Sequence, residues 1–385
     1  SHALLSKANH IHIEPRAGAL HIRYRIKGTL HEAMILPKHI HPHLVLRTKH
    51  LAGLDLKDLS PQEGRISYES GKDKVNLRVS TMPGTHGEKM VLRRVPAHAS
   101  GFTLESLGLI GKNLDCVHEI LEEREGLLLI SAPKASGKTT FMYTAIDLIH
   151  KERHNIQTVE EKVEYLLPGT TQSEVNVEKG LTYQRLVRAA LRQDPDVLMV
   201  SAVEDEGTAS LLSSAALRGE LVMAGIEADT PVEAIIKFGE IAGVGLSASA
   251  LVGAVGIRLV NRIGKTAEKY NLNREETNSL GKLISLPKML SILKDEGIVE
   301  QDATWEDVPF FREIRITGNE DPGKIGLFEV IRANSRIREL VMKNGSRTSI
   351  EGERELGGGL SFLEDGVMKA ALGHITLEEV LVTLS

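Results

Sequence analysis

The 385-residue chain holds one cysteine, Cys116, one tryptophan, and aromatic residues at only 4%. A lone cysteine cannot close an internal disulfide or supply a cysteine-based zinc site, and it fits a reducing compartment. With so few aromatics, the cores must be built mainly from Leu, Ile, Val and Ala. No apolar run reaches the ~18 residues of a membrane span. The best candidate, Leu127-Leu128-Leu129-Ile130, has the length of a strand. A basic excess is missing too, since Lys+Arg 47 against Asp+Glu 52 leaves −5. That balance gives no bulk reason to bind nucleic acid or an anionic membrane. Internal repeats and low-complexity tracts are absent as well. What remains is ordinary globular usage, 41% hydrophobic and 26% charged. At roughly 100–200 residues per domain, the length implies two or three compact units. The start at Ser1, without a leader pattern, is expected of a cytosolic piece of a longer chain.

Residues from about Ile11 to Val95 read as short alternating strands at 19–26, 75–80 and 89–95, with a helix-like stretch near 39–52. This predicts a small α+β unit. The breaker-rich Pro96-Ala97-His98-Ala99-Ser100-Gly101 marks a linker. Beyond it, a helix pattern at 110–122 leads into the apolar run at Leu127, then a glycine-containing loop, then a helix over 139–150. Later strands such as Val197-Leu198-Met199-Val200 alternate with helices, which predicts a parallel sheet covered on both faces. From about Pro231 the pattern is mostly helical, ending in Leu377-Glu378-Glu379-Val380-Leu381. The expected division is therefore 1–97 for the small unit, 98–104 for the linker, 105–230 for an α/β core and 231–385 for a helical subdomain.

The sharpest signal is Ala132-Pro133-Lys134-Ala135-Ser136-Gly137-Lys138-Thr139-Thr140, set between a buried strand and a helix. A phosphate chain needs converging backbone N–H groups, a helix N-terminus behind them, one flexible cation and a hydroxyl for Mg²⁺. Gly137 offers the close backbone approach, Lys138 the charge and Thr139 the metal hydroxyl; Pro133, Lys134, Ala135, Ser136 and Thr140 complete the candidate site. Ala132 stands where the strict motif has glycine, so this is its permissive form. The competing reading is a bland strand-to-helix turn with an incidental lysine.

The chain resembles the assembly ATPases of type II secretion and type IV pili over nearly its whole length. The likeness rests on Ile11-His12-Ile13-Glu14-Pro15, Arg23-Tyr24-Arg25-Ile26, Pro61-Gln62-Glu63-Gly64-Arg65, Arg78-Val79-Ser80-Thr81, His86-Gly87-Glu88-Lys89, the loop, Leu191-Arg192-Gln193-Asp194-Pro195-Asp196 and Gly326-Leu327-Phe328-Glu329. The resemblance implies an α/β, RecA-like P-loop domain with a parallel sheet, preceded by a small α+β (PAS-like) domain and followed by a helical C-terminal subdomain. It further implies a homo-hexamer that binds ATP or ADP with Mg²⁺, works at the cytoplasmic side of the inner membrane and docks on a platform protein there. No nucleic-acid partner is expected. Arg25, Arg65 and Arg78 match family positions that face the phosphates. Glu160 and Glu164 stand where the family carries glutamates, within Thr158-Val159-Glu160-Glu161-Lys162-Val163-Glu164-Tyr165, with Glu161 for its Asp and Lys162 for its Pro. Glu160 and Glu164 are candidate water or Mg²⁺ ligands, or else part of a solvated charge cluster. Arg188 and Arg192, four apart on one helix face, are candidates to reach a neighbouring subunit's nucleotide, or else surface arginines paired with acids.

The catalytic apparatus departs from the family pattern. The strand after Asp194-Pro195-Asp196 ends in Ser201-Ala202 where the family has Gly-Glu, and Glu204 replaces a basic residue. Alanine cannot polarise water, and loss of a positioned general base typically costs ~10²–10⁴ in rate. The family's two later histidines read here as Glu220 and Glu227, neither of which donates a proton when ionised. Its tetracysteine zinc element is absent around 263–267 and 313–316, so no zinc is expected and the insertion at 273–298 must pack without metal. Nine of the 15 histidines fall in the first 50 residues, including His39-Ile40-His41-Pro42-His43. With proline inside the triplet and no acid beside it, these read as surface histidines rather than metal ligands. The expected activity is nucleotide binding with weakened hydrolysis, set against a non-catalytic structural or regulatory subunit.

Overall fold

The computed structural model describes residues 2–6, 8–26, 29–70, 73–95, 102–149, 153–264, 266–314 and 322–384. The chain forms two compact units, one made of residues 1–99 with 164–166 and the other of 100–163 with 167–385. Residues 98–101 of the expected linker lie outside the described residues, and Leu104 already opens the short helix Leu104–Leu107.

The N-terminal unit is a six-stranded antiparallel sheet built from β1 (His10–Pro15), β2 (Ala19–Ile26), β3 (Thr29–Pro37), β4 (Gln62–Ser70), β5 (Asp73–Met82) and β6 (Lys89–Val95). Their order is β3-β2-β1-β6-β5-β4. Alternation in β2 explains the layering. Leu20, Ile22 and Tyr24 are buried, while His21, Arg23 and Arg25 between them are not. Such a sheet covers one face only. The buried face, with Ile13, Val79, Met90 and Leu92, packs with Val45 of the helix His41–Leu51. The histidine triplet splits accordingly. His39 and His43 are exposed, but His41 is buried, its Nε2 2.8 Å from the Glu88 carbonyl oxygen. Lys49 and Glu88 form a buried ion pair at 2.6 Å beside it. His41 is thus a core residue, because the carbonyl satisfies its ring.

The second unit is built on a seven-stranded sheet in the order β15-β12-β7-β11-β10-β8-β9. Its strands are β7 (Gly126–Ser131), β8 (Ile156–Glu160), β9 (Thr170–Glu174), β10 (Val197–Val200), β11 (Leu221–Ile226), β12 (Leu251–Asn261) and β15 (Lys324–Arg332). All neighbours pair parallel except β12 with β15. Every residue of β7, β8, β10 and β11 is buried. Because successive side chains point to opposite faces, both faces are covered, which is why these segments are continuously apolar rather than alternating. Each fully buried Leu or Ile in β7 contributes about 1.5–3 kcal/mol. Leu128→Ala would therefore cost about 2–5 kcal/mol once the cavity is included.

The segment from 231 onward is mostly helical, yet it also contributes β12 and β15 to this sheet. A two-stranded ribbon, β13 (Ala267–Tyr270) with β14 (Phe310–Glu313), occupies the region of the missing zinc element. Arg312 lies over the Tyr270 ring at 4.5 Å. The insertion folds as helices Arg274–Leu280 and Leu286–Asp295, held by Leu280, Met289, Leu293, Val308 and Phe310 in an apolar cluster.

Candidate functional site

The loop at 132–137 joins β7 to the helix Lys138–Leu148. Two of its residues have left-handed backbone, Ala135 at φ 61° and Gly137 at φ 87°. For Ala135 that conformation costs of order 1 kcal/mol, and it persists only where surroundings impose it. No side chain caps the helix, so its first N–H groups, at Lys138, Thr139 and Thr140, are left for another acceptor. A helix start with free amides, a left-handed turn before it and an ammonium at its first position make an anion site. Thr139 places a hydroxyl one residue on. Among the described residues no three His, Cys, Asp or Glu side chains converge to hold an ion. The Thr139 hydroxyl is the oxygen at the helix start that would meet an ion arriving with a phosphate chain.

Lys138 stretches over β11. An added side chain at Gly225 would begin 3.3 Å from its Cδ and only 2.2 Å from the Ser201 carbonyl oxygen, so this crossing accepts only glycine. Burial pulls the Lys138 ammonium below its usual pKa, while Glu227, Glu204 and Glu161, in that order, push it back up. Ser201 ties the neighbouring strand ends together. Its N–H donates to the Val159 carbonyl at 3.0 Å, and its hydroxyl accepts from Glu161 N–H at 3.1 Å and meets the Tyr183 hydroxyl at 2.9 Å. Burial raises the Tyr183 pKa. Ala202 follows, half-buried and without an ionisable group.

Glu160 is fully buried, and its carboxylate accepts from Tyr143 Oη, from Thr158 Oγ1 at 2.6 Å and from Gln172 Nε2 at 3.1 Å. Those contacts make it a structural acceptor behind the helix that starts at Lys138. Glu161 is the member of the segment whose charge reaches Lys138. The signal that separates them is position, since Glu160 ends β8 and Glu161 is the first residue beyond it. Glu164 groups with residues 165 and 166 in the N-terminal unit. Arg188 on the helix Tyr183–Leu191 and Arg192 just after it are exposed, and neither forms an ion pair among the described residues. The turn after them is clamped from Asn155, whose Nδ2 donates to the carbonyls of Gln193 at 2.6 Å and Asp194 at 2.8 Å. Its N–H donates to Asp196 at 2.6 Å. Asp194-Pro195-Asp196 thus serves to aim β10.

Glu220 and Glu227 lie at opposite ends of β11. Glu220 precedes β11 and lies at the opposite end from the loop, where its carbonyl accepts from Gly126 N–H at 3.1 Å. At ~3.3 Å per strand residue it is roughly 20 Å from Glu227, so the two glutamates that replace the family's histidines do not share one site.

Within the N-terminal unit, cross-strand pairing sets Arg65 beside Arg78, Arg78 beside Arg93, Arg93 beside His10 and His10 beside Arg25. Arg25, Arg65 and Arg78 therefore share one row, and Arg78 also pairs with Glu63 at 2.8 Å. Arg93 and His10 went unnoticed in the sequence because only strand register aligns them.

A parallel sheet with a phosphate-type loop at its carboxyl edge defines a nucleotide-binding α/β protein of the P-loop class. The sequence pattern of the Type II/IV secretion system protein family matches residues 1–382, and the chain belongs to that family. It is similar to the type IV pilus assembly ATPase PilB of Thermus thermophilus, at 32% identity over 382 residues, covering 98% of this chain and 41% of the relative. The type II secretion system ATPase E of Vibrio cholerae is 32% identical over 383 residues, with 98% of this chain and 72% of that protein covered. Among solved structures, the Legionella pneumophila ATPase DotB has the same fold at TM-score 0.66 and 17% identity, covering 100% of this chain and 93% of its own. The pilus retraction motor PilT with bound ADP does so at TM-score 0.66 and 20% identity, covering 99% and 94%. Among the described residues no helix is long and apolar enough to cross a membrane.

Proposed function

We propose that this chain is the nucleotide-binding core of a pilus- or pseudopilus-assembly motor, and that its hydrolysis is weak. The observation that carries the reading is the loop itself: left-handed Ala135 and Gly137, uncapped amides, and Lys138 and Thr139 at the helix start. In this account the amides and Lys138 would hold the terminal phosphoryl oxygens, β and γ in ATP and β in ADP, and the Thr139 hydroxyl would serve the accompanying Mg²⁺. When bound, that ion offsets charge on the transferring phosphoryl. Arg188 and Arg192, exposed and in no ion pair among the described residues, would meet the nucleotide of a neighbouring copy in a homo-hexamer. Arg25, Arg65 and Arg78 would serve phosphate from the N-terminal unit. The motor would act at the cytoplasmic face of the inner membrane, against a platform protein.

Weak hydrolysis follows from Ala202, which offers no base to orient water, and from Glu204, whose charge opposes the developing anion. Ala202 also supports a second reading, a non-catalytic subunit that binds nucleotide for structural or regulatory ends. Steady-state phosphate release from the purified assembly separates them. Slow turnover, well under the ordinary ~1–10³ s⁻¹, supports the first; none supports the second; full turnover contradicts both.

A further inference from the structure

Ser201 is the first residue beyond β10, and three elements meet at its side chain. Its hydroxyl accepts at 3.1 Å from the N–H of Glu161, just past β8. It also meets, at 2.9 Å, the hydroxyl of Tyr183, the first residue of the helix Tyr183–Leu191. The hydrogens of this cluster can be counted. The amide gives one and takes none, while the two hydroxyls hold one each and their mutual bond uses only one of these. The other hydroxyl hydrogen has no acceptor among the described residues. Burial, and then the charges of Glu161 and Glu204, push the Tyr183 pKa up, so both hydroxyls are protonated donors at neutral pH. Neither of those carboxylates accepts a hydrogen bond from Tyr183 or Ser201 among the described residues.

The spare donor stands beside the cation of the loop. Only β11 separates β10 from β7, and Gly225 occupies the crossing. The point above Gly225 where a Cβ would stand lies 2.2 Å from the Ser201 carbonyl oxygen and 3.3 Å from Lys138 Cδ. The lysine side chain thus leads from the helix start over β11 toward Ser201. The lysine of such a loop reaches the outer phosphoryl groups of a nucleotide, so the outermost one is the group brought nearest the spare hydrogen. Ser201-Ala202 replaces the family's Gly-Glu, so this chain adds a hydroxyl at the point where it drops a carboxylate. A hydroxyl donates to a phosphoryl oxygen but is no base for water, which favours holding a triphosphate over splitting it.

We infer that Tyr183 and Ser201 form a hydroxyl relay that donates one hydrogen bond to the terminal phosphoryl oxygen of a bound nucleoside triphosphate, and so sets the triphosphate apart from the diphosphate. The inference rests on the nucleotide reading above and adds the group that recognises the third phosphate. Calorimetric titration of the full chain with MgADP and with the magnesium complex of β,γ-imido-ATP, which is not split, tests it in the wild type, Tyr183→Phe and Ser201→Ala. Each variant should lose about tenfold in affinity for the imido analogue, as expected when a hydrogen bond to a charged group is removed. Affinity for MgADP should change less than about threefold. Both substitutions act because each hydroxyl aims the other. Equal losses for the two nucleotides, or no loss for either, overturn the relay while leaving the loop site standing. No heat from the folded wild type with either nucleotide overturns the nucleotide reading and the relay together. Circular dichroism checks each fold. If Ser201→Ala, which also takes the acceptor from Glu161 N–H, fails to fold, Tyr183→Phe decides the matter alone.

Discussion

Glu220 and Glu227 stand at the two ends of one buried strand, seven positions apart in sequence, and they face different worlds. Glu227 emerges at the edge where β7 gives way to the phosphate loop, and its charge bears on Lys138. Glu220 sits by the start of β7, with Arg218 3.8 Å away, at the opposite end of the strand from the loop. Both replace residues that the family resemblance treats as a pair. The difference teaches that in a parallel sheet, function belongs to the carboxyl edge and not to a residue type or a motif spacing.

The strongest way to break this comparison is to remove the cation that the loop edge is organised around. Lys138→Ala should weaken binding of a fluorescent ATP analogue at least ~100-fold, because the charge-assisted contact and the attraction over the amides go together; unchanged titration curves would place the phosphate elsewhere. Next comes restoration of chemistry at the same edge. Ala202→Glu combined with Glu204→Arg should raise the phosphate-release rate about 10–100-fold, at the low end of what a positioned base supplies. A rate no higher than the parent's would mean that the missing carboxylate is not what limits hydrolysis.

A third test probes the inner side of the edge. Glu160→Gln should lower unfolding stability by about 1–3 kcal/mol, since Tyr143, Thr158 and Gln172 lose a charged acceptor. Denaturant titration reads this, and affinity for nucleotide should stay within about threefold. A large affinity loss in a well-folded variant would return Glu160 to the phosphate site. The smallest effect is expected at the far end of β11, where Glu220→Gln should leave phosphate release within the error of the assay. A clear fall there would erase the distinction between the two ends.

Much of this architecture was legible beforehand where one physical signal dominates. Val197–Val200 is β10 as read, and the apolar run at Leu127 is the heart of β7, because a strand buried on both faces has no choice but continuous hydrophobicity. The loop was legible because phosphate chemistry demands a particular set of residue types in a particular order. What stayed hidden depended on partners distant in sequence. β12, Leu251–Asn261, carries glycines at 253 and 256 that weaken any strand signal, so the stretch beyond 231 reads as helical although β12 joins the central sheet beside β7. Glu160 and Glu161 look interchangeable in a line of acids, and only the end of β8 tells the buried acceptor from the exposed charge. His41 reads as a surface histidine until the Glu88 carbonyl is seen against its ring. The row of Arg65, Arg78, Arg93, His10 and Arg25 comes from the register of five strands, which no local pattern records.

Isothermal titration calorimetry of the full chain with MgADP bears most directly on the claim beneath all of this, that the turn between β7 and the helix at Lys138 holds a phosphate chain. Saturable heat from one site per chain, abolished in Lys138→Ala, is the predicted result. A flat titration up to millimolar MgADP, from protein shown to be folded, would contradict it.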